Sequence, residues 1–196
     1  MANHRVSEEL TDEIIQQRHW TKEELIARGY TFYERKKTVV MARKVPADAK
    51  PYIITTRQGD RLHVEPNYVM CYHAGETVYE ALEDYERWPV AASIFAKSYK
   101  TWDEPNWVPT SSEQQLIQLD CRPYYKFAGV WVKRSEGDDR IQSLEHDAPV
   151  TVPTGDYIAI GIDGEPYRIG ETTLNNRYRS SRKRLGRWFK RLFKSK

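Results

Sequence analysis

Two cysteines, Cys71 and Cys121, are all the thiol chemistry in this 196-residue chain, and they do not form a CxxC pair. A disulfide-scaffolded domain and a four-cysteine zinc site are therefore excluded. No apolar run approaches the roughly 20 residues needed to span a bilayer as a helix. The opening "MANHRVSEELTDEII" also lacks a basic region followed by an apolar stretch. The expectation is a cytoplasmic protein whose contact with a membrane, if it has one, is peripheral. Acid is missing from one place in particular. Residues 179–196 hold nine Lys or Arg and no Asp or Glu, leaving 22 basic against 28 acidic residues before them. The net charge of +3 thus divides into a body of −6 and a tail of +9, the signature of a basic arm with a surface to bind.

What is abundant is aromatic: thirteen Tyr and six Trp, in a chain that is 39% hydrophobic and 30% charged. That composition excludes disorder throughout and fits one respectable core or two small ones near the lower size limit for independent folding.

The first thirty residues predict helix. In "HWTKEELIARGY", Thr21 is the N-cap and Glu24 completes a capping box, Trp20 and Leu25 form a hydrophobic staple, and Gly29 is the stop. Upstream, Leu10, Ile14 and Ile15 suit a short docking helix. From about residue 32, short β-like runs ("TVVMARKV", "PYIITT", "RLHVE", "YVMCYHAG") alternate with Pro, Gly and Asp punctuation.

An internal repeat is visible in these runs. "YVMCYHAG", an insertion, and "ERWPVAASIFAKSY" lie beside "DYIAIGIDGEPYRIGETTLNNRY", matching Tyr68 with Tyr157, Trp88 with Tyr167, Val90 with Ile169, Phe95 with Leu174 and Tyr99 with Tyr178. "KKTVVMARKV" and "YKFAGVWVKR" are the corresponding first strands. In the second copy Asp163-Gly164 predicts a type I′ hairpin, with a short helix carrying Leu174 and Tyr178 on one face. The first copy replaces that tight turn with the longer "HAGETVYEALEDYE", and "KTWDEPNWVPTSSEQQLIQL" reads as a linker with a turn of helix at its end.

The stretch "PTGDYIAIGIDGEPYRIGETTLNNRY" resembles the small PGDYL-type module of phage and bacterial proteins, carried by Gly155, Asp156 and Tyr157, with Tyr167-Arg168 where that module has Trp-Pro. The first copy keeps Trp88-Pro89 but has Asn67-Tyr68 in place of Gly-Asp-Tyr. The resemblance implies a small β-rich module and no transferable reaction.

The fold class expected is α+β: a helical N-terminal segment (1–30), two related β-rich modules (31–100 and 121–178) joined by a linker (101–120), and a basic amphipathic helix (179–196). No residue is assigned a catalytic role, a metal or a cofactor. Cys71 and His73 share a strand face and His63 stands on the preceding strand, but no second ligand pair has metal-site spacing. The carboxylates of "EALEDYE" and "EGDDR" read as solvated loops, and "GIDGE" lacks the lysine and spacing of a phosphate cradle. Trp88, Tyr99, Tyr167 and Tyr178 recur at matching positions, as a shared core demands, although bases could also stack on them.

The functional signal lies in "RKRLGRWFKRLFKSK". On a helix, Leu185, Trp188, Phe189, Leu192 and Phe193 fall on an arc of about 140°, with Arg187, Lys190 and Arg191 among the cations opposite. An anionic membrane surface fits both faces, with the acidic body held off by repulsion. The alternatives are a partner groove in a larger assembly such as a phage particle, a groove on the protein's own body, and nucleic acid, whose phosphates need the charge but not the apolar stripe. The expectation is a non-catalytic adaptor, assembly or structural protein, with no small-molecule substrate identified.

Overall fold

The computed structural model describes residues 14–57 and 59–181. Strand β1 (Ile14–Gln16) leads into helix α1 (Lys22–Ala27). Strands β2 (Thr31–Arg35) and β3 (Val39–Lys44) follow, then a hairpin of β4 (Tyr52–Thr55) and β5 (Arg61–Val64). The first half is completed by β6 (Val69–His73), a 3-10 turn at Leu82–Asp84, β7 (Glu86–Val90), α2 (Ala92–Ser98) and β8 (Tyr99–Thr101). After α3 (Ser111–Gln118) come β9 (Arg122–Lys126), β10 (Val130–Arg134), β11 (Arg140–Gln142) and β12 (Val150–Thr151). The described chain ends with β13 (Tyr157–Ile160), β14 (Pro166–Ile169), α4 (Glu171–Arg177) and β15 (Tyr178–Ser180).

The fold is α+β, built on two five-stranded antiparallel sheets flanked by short helices. One runs in the order β7-β6-β3-β9-β8 and the other β14-β13-β10-β2-β15. The two orders are equivalent, strand for strand, with one exchange. β2 and β3 are joined by only three residues, yet β2 lies in the second sheet against β10, and β9, joined as closely to β10, lies in the first sheet against β3. Each half of the sequence lends its leading strand to the other half's sheet, so the stretches 31–100 and 121–178 each contain one strand of the opposite sheet.

Registers fix the equivalence residue by residue. Ala42 pairs with Cys71 and Cys71 with Trp88; Val132 pairs with Ala159 and Ala159 with Tyr167. Trp88 therefore matches Tyr167, and Val90 matches Ile169, as the sequence suggests. Tyr157, however, occupies the place of Val69 rather than Tyr68, because Val69 faces Val90 as Tyr157 faces Ile169. Tyr68 matches Asp156 instead. Both follow a residue at positive φ, Asn67 (66°) or Gly155 (95°), and both donate their N–H to the carbonyl three residues back. A one-residue slip in a strand exchanges its faces, so this register decides which side chains enter which core.

Each sheet is packed on both faces, which explains why the central strands read as continuous apolar runs rather than as alternation. On the inner faces, Val40, Ala42, Cys71, Val90 and Tyr99 match Val130, Val132, Ala159, Ile169 and Tyr178. The outer face of the first sheet packs Met41, Met70 and Tyr72 under β4–β5, Tyr85 and the α3 residue Leu116. Its counterpart packs Ile158 and Ile160 under Ile141, Val152, Leu25 and Tyr30.

Local predictions fare unevenly. Thr21 caps α1 by accepting from Glu24 N (3.1 Å), Trp20 packs beside Leu25, and Gly29 turns out of the helix at φ 85°. The Glu24 carboxylate bonds Arg18 rather than closing a capping box. Ile14 and Ile15 form a strand rather than a helix, because they pair in parallel with Arg140 and Ile141. Asp163-Gly164 does make a hairpin, but not a type I′ turn. Gly164 alone has positive φ (77°), its N–H closes on Gly161 O (3.2 Å), and Gly161 N pairs with Glu165 O (2.9 Å), the arrangement of a three-residue loop with a glycine bulge. Within the expected linker, α3 is a full helix with the true capping box, formed by Thr110 and Glu113. Arg179 and Ser180, placed with the tail on sequence, belong to β15.

Candidate functional site

The inner faces of the two sheets meet around a cavity of about 420 Å3. Part of its lining is made of equivalent pairs from the two halves. Trp88 and Tyr167 face it from β7 and β14, Tyr99 and Tyr178 from β8 and β15, and Lys126 and Arg35 from β9 and β2. Lys126 and Arg35 occupy the same place in the repeat, opposite Tyr99 and Tyr178 respectively. The duplication has placed two cations and four rings face to face.

Three cations sit on these rings. The Arg35 guanidinium lies 4.6 Å from the centre of the Tyr178 ring, Lys126 Nζ 5.1 Å from that of Tyr167, and the Arg177 guanidinium 5.7 Å from that of Trp88. Two of these contacts bridge the sheets. Lys126 Nζ also donates to the Tyr167 hydroxyl at 3.2 Å. Ring contacts of this kind contribute about 0.5–2 kcal/mol each, against several kcal/mol for removing a cation from water. The rings alone do not offset the burial.

Among the described residues, no carboxylate lies within ion-pair distance of Arg35, Lys126 or Arg177, whereas Lys97 is paired with Asp163 and Arg168 with Asp156. Arg35 Nε is buried without a hydrogen-bond partner. Glu86 and Glu165 also face the cavity. Burial pushes the Glu165 carboxyl up against the pull of Lys126, and the Asp163 N–H engages one of its oxygens at 2.8 Å.

One phenol responds to the positive charge around it. Burial alone would raise Tyr178, but Lys126 and Arg35 and a hydrogen bond from Tyr167 outweigh it and bring its pKa down. Tyr167, the donor in that bond, is raised well above its ordinary value by burial and by its neighbour. Lys126 is raised, the surrounding Tyr178, Tyr99 and Glu165 overcoming its own burial. Arg177 is lowered by burial.

Asp60, Ser143 and His146 also line the cavity. Ser143 Oγ lies 2.9 Å from His146 Nδ1, a spacing that suits a nucleophile and base. The same Nδ1 already accepts the Ser143 backbone N–H at 2.9 Å, and His146 N donates back to Ser143 O. The imidazole closes a tight turn, and its lone pair is committed.

Of the residues weighed on sequence, Tyr99 and Tyr178 are buried and Trp88 and Tyr167 half-buried; all four are packed as core and also wall the cavity. Cys71 lies fully buried in the inner face, its thiol pushed up to about 12 by desolvation. His63 is held by Asp147 (3.0 Å), and His73 ends β6 opposite Glu86. Among the described residues no group of three or more His, Cys, Asp or Glu is placed to hold a metal ion.

The insertion folds on itself. The Tyr85 hydroxyl accepts from Tyr79 N (3.0 Å) and donates to Tyr79 O (3.1 Å), while Glu80, Glu83 and Asp84 point to solvent. A recess of about 290 Å3 beside it is bounded by Arg57, His73, Glu76, Tyr79 and Glu86. No described helix is long and apolar enough to cross a membrane. Leu185, Arg187, Trp188, Phe189, Lys190, Arg191, Leu192 and Phe193 lie outside the described residues.

The cations of the cavity were not singled out on sequence. Arg35, Lys126 and Arg177 are spread over more than 140 residues, and only the matching places of "ER" and "YK" ahead of the two first strands hint that two of them are related. No family model matches the chain, and no curated protein or solved structure is significantly similar to it.

Proposed function

We propose that the protein is a non-catalytic adaptor or assembly platform, recruited to an anionic membrane surface by its basic C-terminal segment. The observation that carries this reading is the charge division: a body of −6 followed by eighteen residues bearing nine cations and no acid, with the five large apolar residues spaced for one helical face. The body suits the role. Its halves exchange strands, so they form one interleaved unit rather than two beads on a string. The last strand before the basic segment is anchored against β2, with Ser181 N and Oγ both bonding Phe32 O. Pull on the tail is thus passed from the edge strand to an inner strand of the sheet.

Co-sedimentation of the full chain with anionic and with neutral vesicles tests this. Binding should be confined to anionic vesicles and lost both in Trp188→Ala/Phe189→Ala and in Arg187→Gln/Lys190→Gln/Arg191→Gln. Loss only in the charge variant would refute insertion of the apolar stripe and leave a purely electrostatic contact with the surface. No sedimentation at all rejects membrane docking and leaves the stripe to a protein groove.

A further inference from the structure

We propose that the cavity between the two sheets is a binding site for a small oxyanion, a phosphate or carboxylate carried on a compact ligand, held by Arg35, Lys126 and Arg177. The cavity is about 420 Å3, within the range of sites for small organic molecules. Arg35 and Lys126 approach it from equivalent strands of opposite sheets, and Arg177 enters from α4. An anion between them would supply what the protein does not.

Three observations separate this arrangement from ordinary surface charge. The cations are half-buried or more and rest on rings that fix their directions. Among the described residues they have no carboxylate within ion-pair distance, although the two nearby lysine and arginine side chains Lys97 and Arg168 do. Arg35 Nε is buried and without a hydrogen-bond partner, and an oxyanion accepts from that atom in the planar geometry guanidinium favours.

Asp60, Glu86, Glu145 and Glu165 line the same space and limit the ligand's negative charge. Burial raises the Glu165 carboxyl above its ordinary range, and the Asp163 N–H occupies one of its oxygens. A doubly charged or smaller anion fits this balance better than a polyphosphate. The walls of Trp88, Tyr99, Tyr167 and Tyr178 favour an anion attached to a flat ring over a bare one.

The test is thermal shift and calorimetric titration of the full chain with inorganic phosphate, phenyl phosphate and benzoate at constant ionic strength. These probes separate phosphate from carboxylate and measure what a ring adds. Saturable stabilisation by at least one of them is expected. It should weaken about tenfold or more in Lys126→Met and in Arg35→Met, as loss of one charge-assisted contact predicts, and be restored towards the original value in Lys126→Arg.

The basic tail also attracts anions, so Arg187→Gln/Lys190→Gln/Arg191→Gln is measured alongside and should leave the stabilisation intact. No saturable shift with any probe overturns the proposal. So does a shift that survives Lys126→Met and Arg35→Met, or one that disappears with the tail charges. The outcome is independent of vesicle binding, since the two sites share no residue.

Discussion

A single methyl group at Gly129 should unsettle the strand exchange. Gly129 lies in the short crossing from β9 to β10, and a Cβ there would stand against the Phe32 ring and 2.6 Å from Tyr33 O. The carbonyl belongs to the backbone of β2, which is fastened on both sides, to β10 through Tyr33↔Val130 and to β15 through Tyr33↔Ser180. The ring is little freer, since it packs on Trp131 at 5.4 Å between centroids. Neither neighbour can give way without moving a central strand.

Overpacking of this kind costs about 1–3 kcal/mol. For a domain of this size each kcal/mol lowers Tm by about 2–4 °C, so Gly129→Ala should lose about 2–12 °C. The control is Gly75→Ala, where a Cβ meets nothing within 4 Å and which should fall within about 0.5 kcal/mol of the starting protein. Urea denaturation followed by tryptophan fluorescence, with circular dichroism to show that the strands persist, supplies the comparison. The contact exists only because β2 has crossed to lie beside β10. Equal midpoints for the two variants would refute the placement of β2 and, with it, the exchange.

Two further outcomes follow from local chemistry. Thr110→Ala removes the cap of α3, whose box with Glu113 is complete (3.2 Å to Glu113 N, 2.7 Å from Thr110 N), and should cost about 1 kcal/mol in the same denaturation assay. Burial holds the Cys71 thiol at about 12 and Cys121 at about 11, above the ordinary value of 9.0. The folded protein therefore keeps protons that the unfolded chain releases above about pH 9, and stability present below that pH is lost as pH rises towards the folded values. Midpoints measured at about pH 8 and about pH 10.5 should fall, and neither thiol should react with a disulfide reagent until denaturant is added. Rapid native labelling of Cys71 would contradict its burial.

The pattern of legibility follows the range of the interactions. Thr21, Leu25 and Gly29 were readable because a helix start and stop are settled within a few residues. The repeat was readable for a related reason: duplicated packing demands duplicated side chains, and Val40, Val90 and Tyr99 keep partners of their own kind in Val130, Ile169 and Tyr178. Ile14 and Ile15 failed as helix because their fate is decided by Arg140 and Ile141, far along the chain. The hairpin was legible in its position but not its turn, since both geometries accept glycine at Gly164. Packing demands the glycine itself, because the Arg18 backbone occupies the place a Cβ on Gly164 would take.

The exchange of β2 and β9 had no local signal at all, and the cavity depends on it. Within one half of the sequence, Arg35 and Tyr99 belong to the same copy, and so do Lys126 and Tyr178. If each half kept its own leading strand, those would be the pairs across the outer ladder. In the structure Arg35 instead faces Tyr178 and Lys126 faces Tyr99. Each cation is therefore delivered to a ring of the other copy, and both line one cavity. Divergence has since broken the symmetry there, because the place of Arg177 in the second copy is held by the buried Ser98 in the first, whose hydroxyl turns back to Ile94 O. A third cation on one side only makes the two copies' contributions unequal: Trp88 carries Arg177 at 5.7 Å from its ring centre, whereas its counterpart Tyr167 carries Lys126 at 5.1 Å.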